Sequence, residues 1–188
     1  MKELPGSLWN TPDLDRWVAV RQDGTIVIYV GKVELGQGIL TAFTLIATTE
    51  LSVDSERIEL VTAQTGVTPN EGVTAGSMSI ETTGAAIRQA CAWARRLMLD
   101  AATEYLDVDR KSLIVNAGQV SSSESKESVK YQDLQGGRPF NKVIEYSIDE
   151  MPVESPQMIL RVDVEEKMVG NAVFIHDKSW PNMLHARG

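Results

Sequence analysis

A single cysteine, Cys91, stands in a chain of 188 residues. That scarcity excludes an internal disulfide, a cysteine-built zinc site and a cysteine-ligated iron–sulfur cluster. Histidine is almost as rare, with His176 and His185 alone, so a protein-ligated metal is not expected. Cationic residues are short too: 18 Lys and Arg against 26 Asp and Glu give a formal net charge of −8, which repels polyanions and argues against a nucleic-acid partner. No segment approaches the roughly 18 apolar residues that a membrane span needs, and Met1 to Asn10 holds no signal-type apolar core. The default reading is cytoplasmic, with the periplasm left open.

What is present is a globular composition. At 43% hydrophobic residues the chain can bury a real core, as one domain or as one plus part of a second. Trp17-Val18-Ala19-Val20 and Ile26 to Val30, separated by Asp23-Gly24-Thr25, read as a hairpin. Ile39, Ala42, Phe43, Leu45, Ile46, Ala47 and Leu51 recur at helical spacing, and Ile58 to Ala63 reads as a strand, for a β–β–α–β order. A loop from Gln64 to Thr74, marked by Gly66, Pro69-Asn70 and Gly72, leads to the longest helix, from about Thr82 to Leu106. Its apolar stripe is Ala86, Ala90, Trp93, Leu97, Ala101 and Tyr105, and its alanine density predicts packing against a sheet.

Beyond Asp107 the pattern predicts a hairpin around Asn116-Ala117-Gly118. The polar tract Ser121 to Ser128 reads as its exposed tip, too polar to order itself. A short helix over Tyr131 to Leu134 ends at Gly136-Gly137-Arg138-Pro139. Residues 141 to 165 read as extended and peripheral. Lys167 to Arg187 reads as strand, turn, strand, and a last strand without a partner implies that the rest of its domain lies elsewhere.

Two turns carry the chemistry. Gly31-Lys32-Val33-Glu34-Leu35-Gly36-Gln37-Gly38 precedes the first long helix, and Thr74-Ala75-Gly76-Ser77-Met78-Ser79-Ile80-Glu81 opens the second. Glycine admits positive φ and close backbone approach, and N–H groups at a helix N-terminus suit an anion. Together they predict one cleft that grips a phosphorylated cofactor at two points. The first begins like a nucleoside-triphosphate loop, but Gln37-Gly38 stands where Lys and Ser or Thr are required, and the dinucleotide pattern Gly-x-Gly-x-x-Gly is absent. Taken singly, each turn is equally an ordinary strand-to-helix turn or a helix cap. Glu34 and Glu81 read as solvated or capping carboxylates rather than an acid–base pair. Cys91 reads as a small buried hydrophobe, and Arg88, Arg95 and Arg96 as a solvated face.

The two turns, with Leu4-Pro5-Gly6-Ser7-Leu8, Leu14-Asp15-x-Trp17, Asp23-Gly24-Thr25, Arg161-x-Asp163, Lys167, Gly170, Phe174, Asp177 and Pro181-Asn182-Met183-Leu184-His185-Ala186-Arg187, carry a wider likeness. Nearly all of the chain resembles the large molybdopterin-binding subunit of the molybdenum hydroxylases, the xanthine dehydrogenase and aldehyde oxidase family, in the branch of nicotinate dehydrogenase and isoquinoline oxidoreductase. It departs at Gln64-Thr65, where the family commonly has Asp-Thr, and at Lys167-Met168, where it has Lys-Val.

The resemblance implies an α+β fold. A cofactor-binding domain of antiparallel strands and two main helices would span residues 1–140, an extended linker 141–165, and the first strands of an α/β-hammerhead domain 166–188. It implies that Gly36, Gln37, Gly38, Ala75, Gly76, Ser77 and Ser79 bind molybdopterin, in the cytosine dinucleotide form usual in bacteria. No residue here would be catalytic or ligate the metal, because molybdenum is held by the pterin. It further implies an oxidoreductase that hydroxylates an N-heterocycle or aldehyde using water. A partner chain would complete the molybdopterin subunit, and an iron–sulfur subunit with 2Fe-2S clusters would take the electrons. The chain alone would be inactive. Two rivals stay open: a structural subunit or degenerate module that keeps the fold and binds no cofactor, and a generic anion-binding or scaffolding protein.

Overall fold

Ile26, Val27, Ile28 and Val30 are buried along one short strand, and everything in the first half of the chain is arranged around it. The computed structural model describes residues 4–124, 126–149 and 159–186. Strand β1 (Val18–Val20) pairs antiparallel with β2 (Ile26–Val30) across the Asp23-Gly24 turn. Strand β3 (Ile58–Thr62) pairs with β2 in parallel, Ile26 opposite Ile58 and Val30 opposite Thr62. This departs from the expectation of antiparallel strands. Helix α1 (Ile39–Leu51) connects β2 to β3, and a crossover through a helix returns the chain in its starting direction. Its bounds follow the apolar spacing, with Gly38 at the N-cap in the left-handed region (φ +77°).

Helix α2 (Ala85–Leu106) enters through a π-turn at Ile80–Gly84. Its principal neighbour is α1 rather than a sheet. Ala86, Ala90, Ala94 and Ala102 are fully buried, and their shortness lets the two helices approach. The expected stripe is out of phase in its second half. The buried line passes one residue later, through Ala94, Met98, Ala102 and Leu106, while Tyr105 is 67% exposed. Of the arginines expected to form a solvated face, Arg96 is exposed, its guanidinium carbon 5.6 Å from the Tyr146 ring centroid, whereas the part-exposed Arg88 donates its Nε to the buried carboxylate of Glu50 at 2.9 Å. Cys91 is buried in the core, as expected of a small hydrophobe.

A second antiparallel sheet follows, β4 (Leu113–Asn116), β5 (Gln119–Ser122) and β6 (Ser128–Lys130), then α3 (Tyr131–Gln135). The serine tract is more ordered than its polarity suggested. Its ends lie in β5 and β6, and the Ser122 hydroxyl is buried against that of Ser112 at 2.8 Å. Tyr131, fully buried, donates its hydroxyl to the Leu51 carbonyl at 3.1 Å, tying the second sheet to the end of α1. Burial pushes the Tyr131 phenol well up from its ordinary value, so it stays a donor.

Residues 141–149 are extended, and they lie on the body: Ile144 and Ile148 are buried, and Ile144 N–H reaches the Pro12 carbonyl at 2.8 Å. The strand–turn–strand expected from Lys167 does not form among the described residues. Helix α4 (Val164–Met168) and a single 3₁₀ turn at Ile175–Asp177 stand there instead. Strands need hydrogen-bonded neighbours, and Val173, Phe174, Ile175 and Leu184 are exposed. Residues 150–158, 187 and 188 lie outside the described residues.

Candidate functional site

Where β2 ends, Gly31 N–H donates to Glu71 Oε2 at 2.7 Å, and the next side chain, Lys32, turns inward. Its Nζ donates to the carbonyls of Glu71 and Val73, each at 2.7 Å. Val33 N–H then reaches Thr74 Oγ1 at 3.0 Å. Glu71 Oε1 accepts from the Thr83 hydroxyl at 2.7 Å, so the clamp extends to the entrance of α2. Gly31 is required by space rather than by φ: a Cβ there would lie 2.4 Å from the Pro69 carbonyl oxygen. These bonds bring the segment after β2 and the segment before α2 side by side.

The result is a cleft of about 430 Å³ lined by Leu35, Gln37, Ile39, Thr74, Ala75, Ser77, Ser79 and Ile80. Gln37 and Ser77, on turns separated widely in sequence, therefore share one cavity. Of the residues expected to grip a cofactor, Gln37, Ala75, Ser77 and Ser79 line this cleft, whereas Gly36, Gly38 and Gly76 shape the turns behind it.

The two arms differ in what they offer. In the first, the Glu34 carboxylate accepts from Gly36 N–H and Gly38 N–H, both at 2.8 Å, and from Leu40 N–H at 3.3 Å. Helix α1 has no acidic residue in its first turn and no side-chain cap from Gly38, so Glu34 supplies the negative charge that its N-terminus favours. Burial acts to raise the Glu34 carboxyl, but the N–H groups of Gly38, Leu40 and Gly36, with Arg161, outweigh it and hold it below the usual glutamate value. The expected capping role of Glu34 holds, and it has a cost to the simple anion reading: two of that turn's N–H groups are taken. Gln37 folds back as well, its Oε1 accepting from Leu35 N–H at 2.5 Å and its Nε2 donating to the Val33 carbonyl at 3.1 Å.

The second arm is open. Gly76 (φ +68°) and Ser77 (φ +58°) are consecutive left-handed residues, and the N–H groups of Ala75, Gly76 and Ser77 meet no acceptor among the described residues. A serine in that region carries strain of about 1 kcal/mol, and such strain collects at binding sites. Ser79 is the buried polar residue of the lining, and Leu35 and Ile80 give the cleft an exposed apolar edge.

On the other side of the clamp lies a second, polar cleft of about 420 Å³ at the carboxyl ends of β2 and β3, lined by Gly31, Gln64, Thr65, Asn70 and neighbours. The Gln64-Thr65 departure falls here and not in the first cleft. Sequence reasoning missed Lys32 and Glu71, since nothing near either residue signals a partner about forty positions away. It did not assign Arg161 to the site, although its guanidinium lies 3.7 Å from Glu34. His176 and His185 are exposed. Among the described residues no helix is long and apolar enough to cross a membrane.

Residues 6–164 match the family described as molybdopterin cofactor-binding domain. The chain is 29% identical over 179 residues to a nicotinate dehydrogenase subunit from Pseudomonas putida, covering 93% of this chain and 15% of that protein. A shorter match of 69 residues, 38% identical, links it to aldehyde oxidase 4 of Rattus norvegicus, covering 37% of this chain and 5% of that one. Among solved structures, carbon monoxide dehydrogenase from Oligotropha carboxidovorans superposes with a TM-score of 0.56 at 21% identity, over 72% of this chain and 18% of that one. Quinoline 2-oxidoreductase from Pseudomonas putida 86 gives 0.54 at 16% identity, over 73% and 19%. The chain thus spans about 15% of the length of the nicotinate dehydrogenase polypeptide it matches. With the family matched across most of its length and an α+β fold shared with these enzymes, the chain belongs to the molybdopterin cofactor-binding domain family of the molybdenum hydroxylases.

Proposed function

We propose that this chain grips the molybdopterin cofactor of a molybdenum hydroxylase between its two turns. The observation that carries the reading is the shared cleft: Gln37 on one side and Ala75, Ser77 and Ser79 on the other. The residues suit the group. Hydroxyls on Thr74, Ser77 and Ser79 match ring nitrogens and carbonyls, and the unengaged N–H groups of Ala75, Gly76 and Ser77 match phosphate oxygens. At Gly36 (φ +102°) a Cβ would meet nothing within 4 Å, which leaves room for a close approach. The division of labour differs between the arms: the Ala75–Ser77 turn donates, while the Gly36–Gly38 turn, engaged by Glu34, contributes shape and the Gln37 side chain. When bound, the cofactor supplies the redox-active molybdenum, and this chain's residues bind and orient it.

The cofactor would be of the cytosine dinucleotide form, as the resemblance implies. The reaction class is hydroxylation of an N-heterocycle or aldehyde with water, electrons passing to 2Fe-2S clusters on a partner subunit. The chain on its own would be inactive, with the rest of the molybdopterin subunit completing the site, in the cytoplasm. We divide it into a cofactor-binding unit, 1–140, a connecting segment, 141–165, and the start of a hammerhead-like unit, 166–188.

A second reading draws support from Glu34: a module that keeps the fold and binds no cofactor would keep its helix cap internal, as the first arm does. Co-purification separates the two. The full chain is isolated with the polypeptides that accompany it, molybdenum is measured by elemental analysis and released pterin by fluorescence. Stoichiometric metal and pterin support the first reading, and a stable complex lacking both supports the second.

A further inference from the structure

Arg161 lies over the N-terminal end of α1. Its guanidinium is 3.7 Å from the Glu34 carboxylate and 3.7 Å from where a Cβ on Gly38 would stand. Behind it, Asp163 accepts from both Nε and Nη2, the latter at 2.9 Å, and Lys167 in turn donates to Asp163. The adjacent Val162 N–H donates to Thr41 Oγ1, on the first turn of α1, at 3.0 Å. Charges thus alternate from Glu34 to Arg161 to Asp163 to Lys167, and the line starts at the carboxylate that holds the N–H groups of Gly36, Gly38 and Leu40.

We propose that Arg161 is a positioning residue for the glycine turn. Paired with Glu34, it keeps the carboxylate seated on those three N–H groups, and the turn so fixed sets Gln37 on the wall of the cleft. Residues 161–163 are then a strap across the first arm, and a disturbance of the strap is felt at the cleft without any contact to what the cleft holds. The strap's bearing on the cofactor rests on the reading given above; the strap itself does not.

Amide hydrogen exchange on the full, unliganded chain reads the turn directly. Arg161→Gln is expected to speed exchange at Gly36, Gly38 and Leu40 by about threefold, as suits the loss of one partly exposed ion pair, and to leave Ala90 and Met98 in α2 unchanged. Arg161→Lys keeps the charge and is expected to exchange like the parent. In a Glu34→Gln background Arg161→Gln should add nothing further, since the pair is already broken. Unchanged exchange at the turn, equal acceleration by Lys and Gln, or additive effects in the double variant overturns the proposal. If Arg161→Gln does not fold, Thr41→Val, which removes the acceptor of Val162 N–H without altering a charge, carries the test alone: acceleration at the same three amides supports the strap, and its absence overturns it. Metal and pterin play no part in this readout, so a failed cofactor reading leaves it intact.

Discussion

Gln89 and Ile148 pair in both directions: Ile148 N–H donates to Gln89 Oε1 at 2.7 Å, and Gln89 Nε2 donates to the Ile148 carbonyl at 2.9 Å. A side-chain amide on α2 thereby takes the place of a neighbouring strand, which residues 145–149 do not have among the described residues. Gln89 is 4% exposed, so truncation leaves a donor and an acceptor unsatisfied. Gln89→Ala is expected to cost about 3 kcal/mol in urea denaturation, and Gln89→Glu, which loses one donor and buries a charge, no less.

At Ser77 stability and binding should part company. Ser77→Gly relieves the left-handed backbone and is expected to raise stability by about 0.5–1 kcal/mol, while removing a hydroxyl from the cleft. The co-purified complex should then hold less pterin per chain although the protein melts higher. Pterin content equal to the parent's would remove Ser77 from the grip.

Glu34 gives a pH signature. Its folded carboxyl sits below the ordinary glutamate value of 4.5, so its contribution to stability is complete above that value and is lost as pH falls through the folded one. The difference in urea midpoint between the parent and Glu34→Gln should be flat above about pH 5.5 and shrink on acidification. A difference that grows toward low pH would contradict the cap.

Glu50 behaves in the opposite sense. Burial raises its carboxyl, and the Arg88 bond and charge only partly offset this. Stability is therefore lost as pH rises from the ordinary value through the folded one, and regained on acidification. Glu50→Gln is expected to fall within about 1 kcal/mol of the parent at pH 7. Arg88→Met, which withdraws a partner from a carboxylate whose Oε2 has no hydrogen-bond partner among the described residues, should cost about 2 kcal/mol, a figure reduced because Arg88 is 39% exposed. Denaturation of both variants at pH 5 and pH 7 checks the order and the sign.

Local pattern made much of the fold legible. Helix α1 could be bounded because Gly38 and Ser52, both left-handed, flank a clean apolar spacing. The hairpin of β1 and β2 followed from Asp23-Gly24. The two turns were visible from glycine and hydroxyl content, and their meeting in one cleft was inferred from their shared chemistry. What escaped is what depends on distant partners. The parallel β2–β3 pair follows from the crossover, the phase of α2 from its seat on α1, and the pairing of Arg88 from Glu50 on another helix. Residues 167–186 show the reverse case, an alternating pattern with no neighbour to pair with, and so no strand.

Lys32 recognises main chain and not side chains: its amino group rests on the carbonyls of residues 71 and 73, which any amino acid would present. The Val73 side chain is 80% exposed and takes no part in the bond, which needs only its carbonyl and the long amine at position 32. Replacing Lys32 would therefore break both of these bonds at once, whereas replacing Val73 would leave its carbonyl, and the bond to it, in place.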